Sequence, residues 1–418
     1  DNILPLKPGT KVAVIGDFAK KPRYQGAGSS LVNPAKEPEA ILDMIGEYDI
    51  VMVSYEQGYV RNRPPKMDLL RKAKEAAKSA DVVLFFGGLD EISESEGLDR
   101  THMMMPNAQG MLIDELSTVN ENLVVVLSAG SAIEMPWHQY VKGIVHGYLG
   151  GQAGASAMLN VLTGKVNPSG RLNETYPIHY EDTPCYHYYP GKERSSEFRE
   201  ALYVGYRYYT TIDKKVRYPF GYGLSYTKFR YYNLKVNEQG VTFGIANTGD
   251  VAGAEVAQLY IGKKSDTVFR PVRELKGFKR VVLAPGEETE VTIPFDDKTF
   301  RFFDTRTNTW EIESGEYQIM IGTDAETMQL QAPMQVNGTV AEGPYRRDKM
   351  PEYFSGKVKV VGDEAFEQLY GRPIPDGSWS GEIGMNDAVC QLYYGKGIIG
   401  KIFYGVLRLM LKISEWQG

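Results

Sequence analysis

Asp81-Val82-Val83-Leu84-Phe85-Phe86-Gly87, with Ser93-Glu94-Ser95-Glu96-Gly97-Leu98-Asp99-Arg100 after it, decides how the first half of this chain is read. The first stretch is an apolar run closed by glycine, the pattern of a buried strand. The second lies just beyond it, where open α/β sheets gather their chemistry. Five carboxylates fall between Asp90 and Asp99, more negative charge than a simple connection needs. A carboxyl group there can serve as a general acid if its surroundings raise its pKa. The plainer reading is a solvated acidic loop.

Strand and helix signals alternate on both sides of this stretch. Lys11 to Phe18, Ile50 to Tyr55, Leu123 to Ser128 and Ile144 to Tyr148 read as strands. Glu37 to Ile45, Met67 to Ala80, Asn107 to Val119 and Ala153 to Leu162 read as helices. This alternation predicts an α/β fold with a mainly parallel sheet covered on both faces. From Ile178 to Phe220 the chain is aromatic, without a clear period. Beyond Phe229 the pattern changes to period-two strands: Val241 to Asn247, Glu255 to Gly262, Arg273 to Leu283, Glu288 to Phe295 and Gly315 to Gly322. Turn signals separate them, as in a β-sandwich. Near the end, Gly397 to Trp416 carries Ile398, Ile402, Phe403, Val406, Met410 and Ile413 at helical spacing, with Lys401, Arg408 and Lys412 between them. Two readings stay open for this helix: docking on protein, or lying on a membrane surface. Gly400 and Gly405 weaken the helix signal.

The chain has 418 residues, room for two or three domains of about 100–200 residues each. Its net charge of −6 comes without a basic run, which argues against nucleic acid as a partner. Cys185 and Cys390 stand far apart and the five His form no ligand pattern, so no metal site is suggested. No stretch is apolar enough to span a membrane. The first residues lack the features of a secretory leader, which reads as cytoplasmic. An initiator Met is also lacking, so the true N-terminus is out of view.

Five motifs, taken together, carry a family resemblance: QGAGSSLVNP (Gln25 to Pro34), SESEGLDR, SAGSAIEMPW (Ser128 to Trp137), GQAGASAMLNVLTGKVNPSGRLNETYP (Gly151 to Pro177) and YPFGYGLSYTKF (Tyr218 to Phe229). In this order they resemble the C-terminal portion of a glycoside hydrolase family 3 β-glucosidase, over roughly Asp1 to Val336. The resemblance implies an α/β sandwich carrying the acid/base loop over 1–190 and a connection over 191–228. A fibronectin type III-like β-sandwich follows over 229–336, then a C-terminal extension with a terminal amphipathic helix over 337–418.

It also implies the chemistry. Retaining glycosidases use two carboxyl groups about 5–5.5 Å apart, one a nucleophile and the other an acid/base. In the family the acid/base is the Glu just before the loop glycine, which is Glu96 here; Glu94, two residues upstream, is the competitor. Asp99 and Arg100 are expected to form an ion pair that shapes the loop. Tyr24 and Gln25 are candidates to line the leaving-group side of the site, against the simpler reading that Gly26 and Gly28 only permit a turn. A nucleotide-binding reading of that loop fails on spacing, since Leu31 stands where G-x-G-x-x-G needs glycine. Ser131 lacks a nucleophile elbow, and Trp137 reads as core.

The family's nucleophile is an Asp in a TIM-like barrel of roughly 250 residues, and no part of this chain matches it. Ile3-Leu4-Pro5-Leu6 resembles the segment that directly follows the barrel. The reading is therefore a portion of a retaining exo-acting β-glucosidase that supplies the acid/base and is inactive without its barrel. A β-xylosidase of the same family, and a non-catalytic carbohydrate-binding or assembly module, are the alternatives. The partners expected are a β-glucoside or oligosaccharide and the barrel domain or chain, with a homo-oligomer left open. No metal or organic cofactor is implied.

Overall fold

The computed structural model describes residues 3–97, 99–191, 195–379, 381–385, 387 and 389–417. Leu98 of the acidic loop, and the side chains of Cys390 and of 414–417 with Trp416 among them, lie outside the described residues. The chain groups into two compact units. One comprises Asp1–Lys165, Tyr188–Glu197 and Pro375–Gly418; the other comprises Val166–His187 and Phe198–Ile374. Residues 188–197 and 375–418 thus join the first unit across a gap in sequence.

The first unit is built on β1 (Lys11–Ile15), β2 (Val51–Glu56), β3 (Val82–Gly88), β4 (Leu123–Ser128) and β5 (Gly143–His146), all parallel, in the order β2-β1-β3-β4-β5. Helices α1 (Ile41–Met44), α2 (Met67–Lys78) and α3 (Asn107–Ser117) lie in the first three crossovers, a short 3-10 turn at Pro136–Tyr140 lies in the fourth, and α4 (Gly154–Leu162) follows β5. β3 and β4 are buried on both faces almost throughout, as expected of central parallel strands sandwiched by helices. Val12, Val14, Leu84, Phe86, Val124 and Val126 pack with Leu159 and Leu162 of α4 on one face. Trp137 is core, 2% exposed.

This strand order places the site. The chain winds one way from β1 to β2 and the other way from β3 onward, so the loops after β1 and β3 diverge above the β1/β3 pair. Such a switch point leaves a crevice at the C-terminal ends of the strands.

The second unit begins with the aromatic segment, whose helix α5 (Tyr206–Thr211) was hidden in a stretch without sequence period. Then come β6 (Phe229–Asn237), β7 (Gly240–Asn247), β8 (Gly253–Gly262), β9 (Glu274–Leu283), β10 (Glu288–Pro294), β11 (Arg301–Asp304), β12 (Thr309–Ile312), β13 (Gly315–Gly322) and β14 (Met328–Val336). A three-stranded antiparallel sheet, β10-β7-β6, and a four-stranded one, β14-β13-β8-β9, supply the inward residues of one core. Val241, Phe243 and Ile245 of β7 share it with Leu259 and Ile261 of β8 and Ile319 and Ile321 of β13. This is the sandwich the period-two pattern implied. β11 and β12 form a separate hairpin. Within this unit the half-buried Arg171 and the buried Glu255 pair at 2.8 Å, and Glu255 also accepts from the Tyr231 hydroxyl.

Helices α6 (Pro351–Ser355) and α7 (Asp363–Tyr370) cap an aromatic cluster around Tyr203, Phe269 and Tyr353. The last helix, α8 (Ile398–Gln417), belongs to the first unit. None of the four sheets among the described residues is an eight-stranded barrel.

Candidate active site

Two loops meet above β1 and β3. The loop after β1 holds Arg23, Tyr24, Gln25 and the tight turn Gly28–Ser30; the loop after β3 holds the five carboxylates. Ala27 and Ser95 bridge them in parallel fashion. Arg23 is the pin between them. It is 3% exposed; its Nε donates to the Gln25 carbonyl (2.8 Å) and its Nη1 to the Leu89 carbonyl (3.0 Å), while its Nη2 stands 3.8 Å from the Glu94 carboxylate.

The acidic loop resolves into five carboxylates with separate partners. Asp90, fully buried, accepts from the Ser93 amide and hydroxyl and closes the turn that starts the loop. Glu91 pairs with Arg61, which also holds Asp17. Glu94 accepts from the Gly130 amide (2.8 Å) and the Ser131 hydroxyl (2.6 Å) in the turn after β4. Asp99 accepts from the Tyr189 hydroxyl at 2.6 Å. Glu96 is exposed, and its Oε2 accepts from the Ser29 amide at 2.7 Å. Hydrogen bonding from Ser29 holds the Glu96 carboxyl below the usual carboxylate range.

The expected Asp99–Arg100 ion pair is absent among the described contacts. Arg100 instead donates from Nη1 to the Ser131 hydroxyl (2.9 Å) and the Ala132 carbonyl (3.2 Å), so Ser131 joins the anchors of Glu94 and Arg100. Asp99 turns to Tyr189, and local pairing loses to anchors that lie far off in sequence.

Tyr24 and Gln25 are both half-buried beside this crevice. Gln25 donates to the Tyr24 hydroxyl (2.9 Å) and the Val32 carbonyl (3.0 Å), and accepts from the Val32 amide (3.0 Å). Its amide therefore shapes the loop in this state. A small open cleft flanks Tyr24, lined also by Ser128, Gly147, Gly150 and Met158; neither Glu94 nor Glu96 lines it. Arg23, Ser29, Ser131 and Tyr189 are the site residues that sequence reasoning missed. Arg23 and Ser29 lie in or beside the quoted QGAGSS stretch, but Tyr189 carried no signal.

Gly28 has φ +83°, and a Cβ there would stand 2.5 Å from Cβ of Glu96. Gly28→Ala is expected to displace Glu96 while the sheet stays intact. Its stability should fall by about 1–3 kcal/mol, and a crystal structure should show the Ser29–Glu96 hydrogen bond broken. An unmoved Glu96 would mean that the loop absorbs the methyl group.

His146, at the end of β5, is pushed down to about 4 by burial, against its ordinary 6.5. Its Nδ1 accepts from the Tyr148 amide and its ring stacks on Tyr148 at 3.9 Å. Below pH 6.5 the unfolded chain takes up a proton that the folded chain refuses. The resulting contribution to stability is complete above about pH 6.5 and lost between 6.5 and 4, on the order of 3 kcal/mol. Melts across this range should fall with pH in the native chain and fall less in His146→Gln; identical slopes would remove His146 as the cause.

Residues 1–226 match the glycosyl hydrolase family 3 C-terminal domain, and residues 255–325 match a fibronectin type III-like domain. The chain belongs to glycoside hydrolase family 3. It is 43% identical over 355 residues to the thermostable β-glucosidase B of Acetivibrio thermocellus, covering 81% of this chain and 46% of that protein. It is 42% identical over 341 residues to an exo-α-(1→6)-L-arabinopyranosidase of Bifidobacterium breve, covering 78% and 45%. The crystal structure of a family 3 β-glucosidase from Bifidobacterium adolescentis superposes with TM-score 0.77 at 35% identity, over 96% of this chain and 54% of that one. The family 3 chain thus spans about half the length of the relatives it matches.

Proposed function

We propose that this family 3 chain supplies Glu96 as the general acid/base of a retaining exo-acting β-glycosidase, a β-glucosidase, whose nucleophilic Asp lies on a barrel outside residues 1–418. One observation carries the reading. Glu96 sits on the motif at the switch point with its carboxylate exposed and held by Ser29 alone among the described contacts, whereas Glu94 is tied into the turn after β4. A proton donor must be free to meet the leaving oxygen; a carboxylate holding three groups in place is suited to positioning.

In the first half-reaction the Asp attacks the anomeric carbon while Glu96 protonates the departing oxygen. In the second, the Glu96 carboxylate takes a proton from the attacking water. The Ser29 hydrogen bond favours the charged form needed in the second half. The first half needs the neutral form. A docked sugar and barrel wall that strip water from Glu96 would raise its pKa in that direction.

A second reading, an α-L-arabinopyranosidase, is favoured by the identity to the Bifidobacterium breve relative. That sugar lacks the hydroxymethyl arm of glucose, so the difference belongs to the sugar-binding wall rather than to the acid/base loop.

The test is reconstitution. The chain alone is expected to melt cooperatively and to leave p-nitrophenyl β-D-glucoside untouched, because one carboxyl group cannot attack and protonate in the same step. Addition of a matching barrel half restores turnover, and the ratio of rates on the β-D-glucoside and the α-L-arabinopyranoside separates the two readings. Robust turnover by the purified chain alone would place a second catalytic carboxylate within it and sink the proposal.

A further inference from the structure

The surface that the acid/base reading leaves unused is α8. Every described side chain from Ile398 to Ile413 is exposed or half-exposed. Tyr404 and Leu407 are the half-buried ones, on the flank where Tyr404 meets the Tyr393 ring at 5.4 Å. The opposite flank and the face between carry Ile399 (80% exposed), Ile402, Phe403, Val406, Met410 (61%) and Ile413. On a helix of 3.6 residues per turn, Lys401, Arg408 and Lys412 fall within about 40° of one another, a line of roughly 16 Å. None of these three has a hydrogen-bond or ion-pair partner among the described residues. No helix of the described residues is long and apolar enough to cross a membrane.

We infer that α8 lies flat on an anionic phospholipid surface, with its apolar arc in the acyl boundary and Lys401, Arg408 and Lys412 against the phosphates. The pairing of the two features selects this occupant. An apolar arc with a cationic strip on the opposite, polar face, whose long side chains reach back to the headgroups, is the geometry of a helix lying in the headgroup plane. A second copy of the helix would bring the same three cations against a single carboxylate, Glu415, so like charges would dominate the joint surface.

The 418-residue chain is sedimented with vesicles of phosphatidylcholine alone and of phosphatidylcholine mixed with phosphatidylglycerol. It is expected to pellet with the anionic vesicles only and to be released by salt. Lys401→Gln/Arg408→Gln/Lys412→Gln should weaken partitioning about a hundredfold, roughly fivefold per cation. Ile402→Asp/Val406→Asp should abolish it, with the thermal melt unchanged because these side chains are exposed. The native chain decides the matter even if a variant folds poorly. Absence from the anionic pellet, or equal salt-insensitive pelleting with both vesicles, overturns the inference. So does self-association, or binding of a barrel half, that Ile402→Asp/Val406→Asp removes while the native chain ignores vesicles; either result would identify a protein as the occupant.

Discussion

Glu96→Ala, in an enzyme completed by its barrel half, is expected to slow hydrolysis of alkyl β-glucosides by about 10²–10⁴-fold, the usual contribution of a general acid. Aryl glycosides with acidic leaving groups should lose less in the first step, because a nitrophenolate departs with little need of a proton. Their turnover should then stall at the second step, where no base activates water, and added azide should restore it by attacking the glycosyl-enzyme directly. Glu94→Gln should behave differently. Glu94 accepts from Gly130 and Ser131 and stands beside the buried Arg23 guanidinium. Its loss should disturb the loop, lower stability and reduce activity on all leaving groups alike, without azide rescue. If Glu94→Gln shows the leaving-group dependence and Glu96→Ala does not, the acid/base is Glu94.

Gly88→Ala should strongly destabilise the first unit. Gly88 has φ +146°, and a Cβ there would stand 2.0 Å from the Ser128 carbonyl oxygen, on backbone that cannot move aside. The buried Gln109 side chain accepts from the Gly88 amide at 2.7 Å and donates to its carbonyl at 2.9 Å, fixing the position from the other side. Relief would require β3 and β4 to part at the end from which the acidic loop departs. A cost of about 3–5 kcal/mol is expected, roughly a 10 °C fall in the melting temperature of a unit this size. Gly110→Ala, in α3 with no atom within 4 Å of the added Cβ, is the control and should be stabilising by up to about 1 kcal/mol. A Gly88→Ala melt matching the native one would show that the β3–β4 end opens freely.

Much of the fold was legible because its periods are local. Leu123 to Ser128 and Gly315 to Gly322 appear at the predicted residues, and most other strands within one or two. β6 and β14 went unread although both alternate. β14 contains Pro333, which argues against a central strand; it forms here at a sheet edge, where the missing amide costs nothing. α5 is too short to show a period: its 6 residues make less than two turns, and its aromatic and β-branched residues carry no helix signal of their own. The expected divisions at residues 190, 228 and 336 follow composition. The compact units follow contacts, which draw 188–197 and 375–418 back to the first unit.

By itself the sequence determined the layer order, the family and the loop that carries the acidic charge. Apolar periodicity, glycine ends and motif order are written residue by residue along the chain. Only the tertiary structure decided what each of the five carboxylates contacts. Their partners lie elsewhere in sequence: Arg61 for Glu91, Gly130 and Ser131 for Glu94, Ser29 for Glu96, Tyr189 for Asp99. In the linear sequence the five are chemically equivalent. Folding separates them, because a buried or anchored carboxylate must be satisfied by whatever donors the strand order delivers to the switch point.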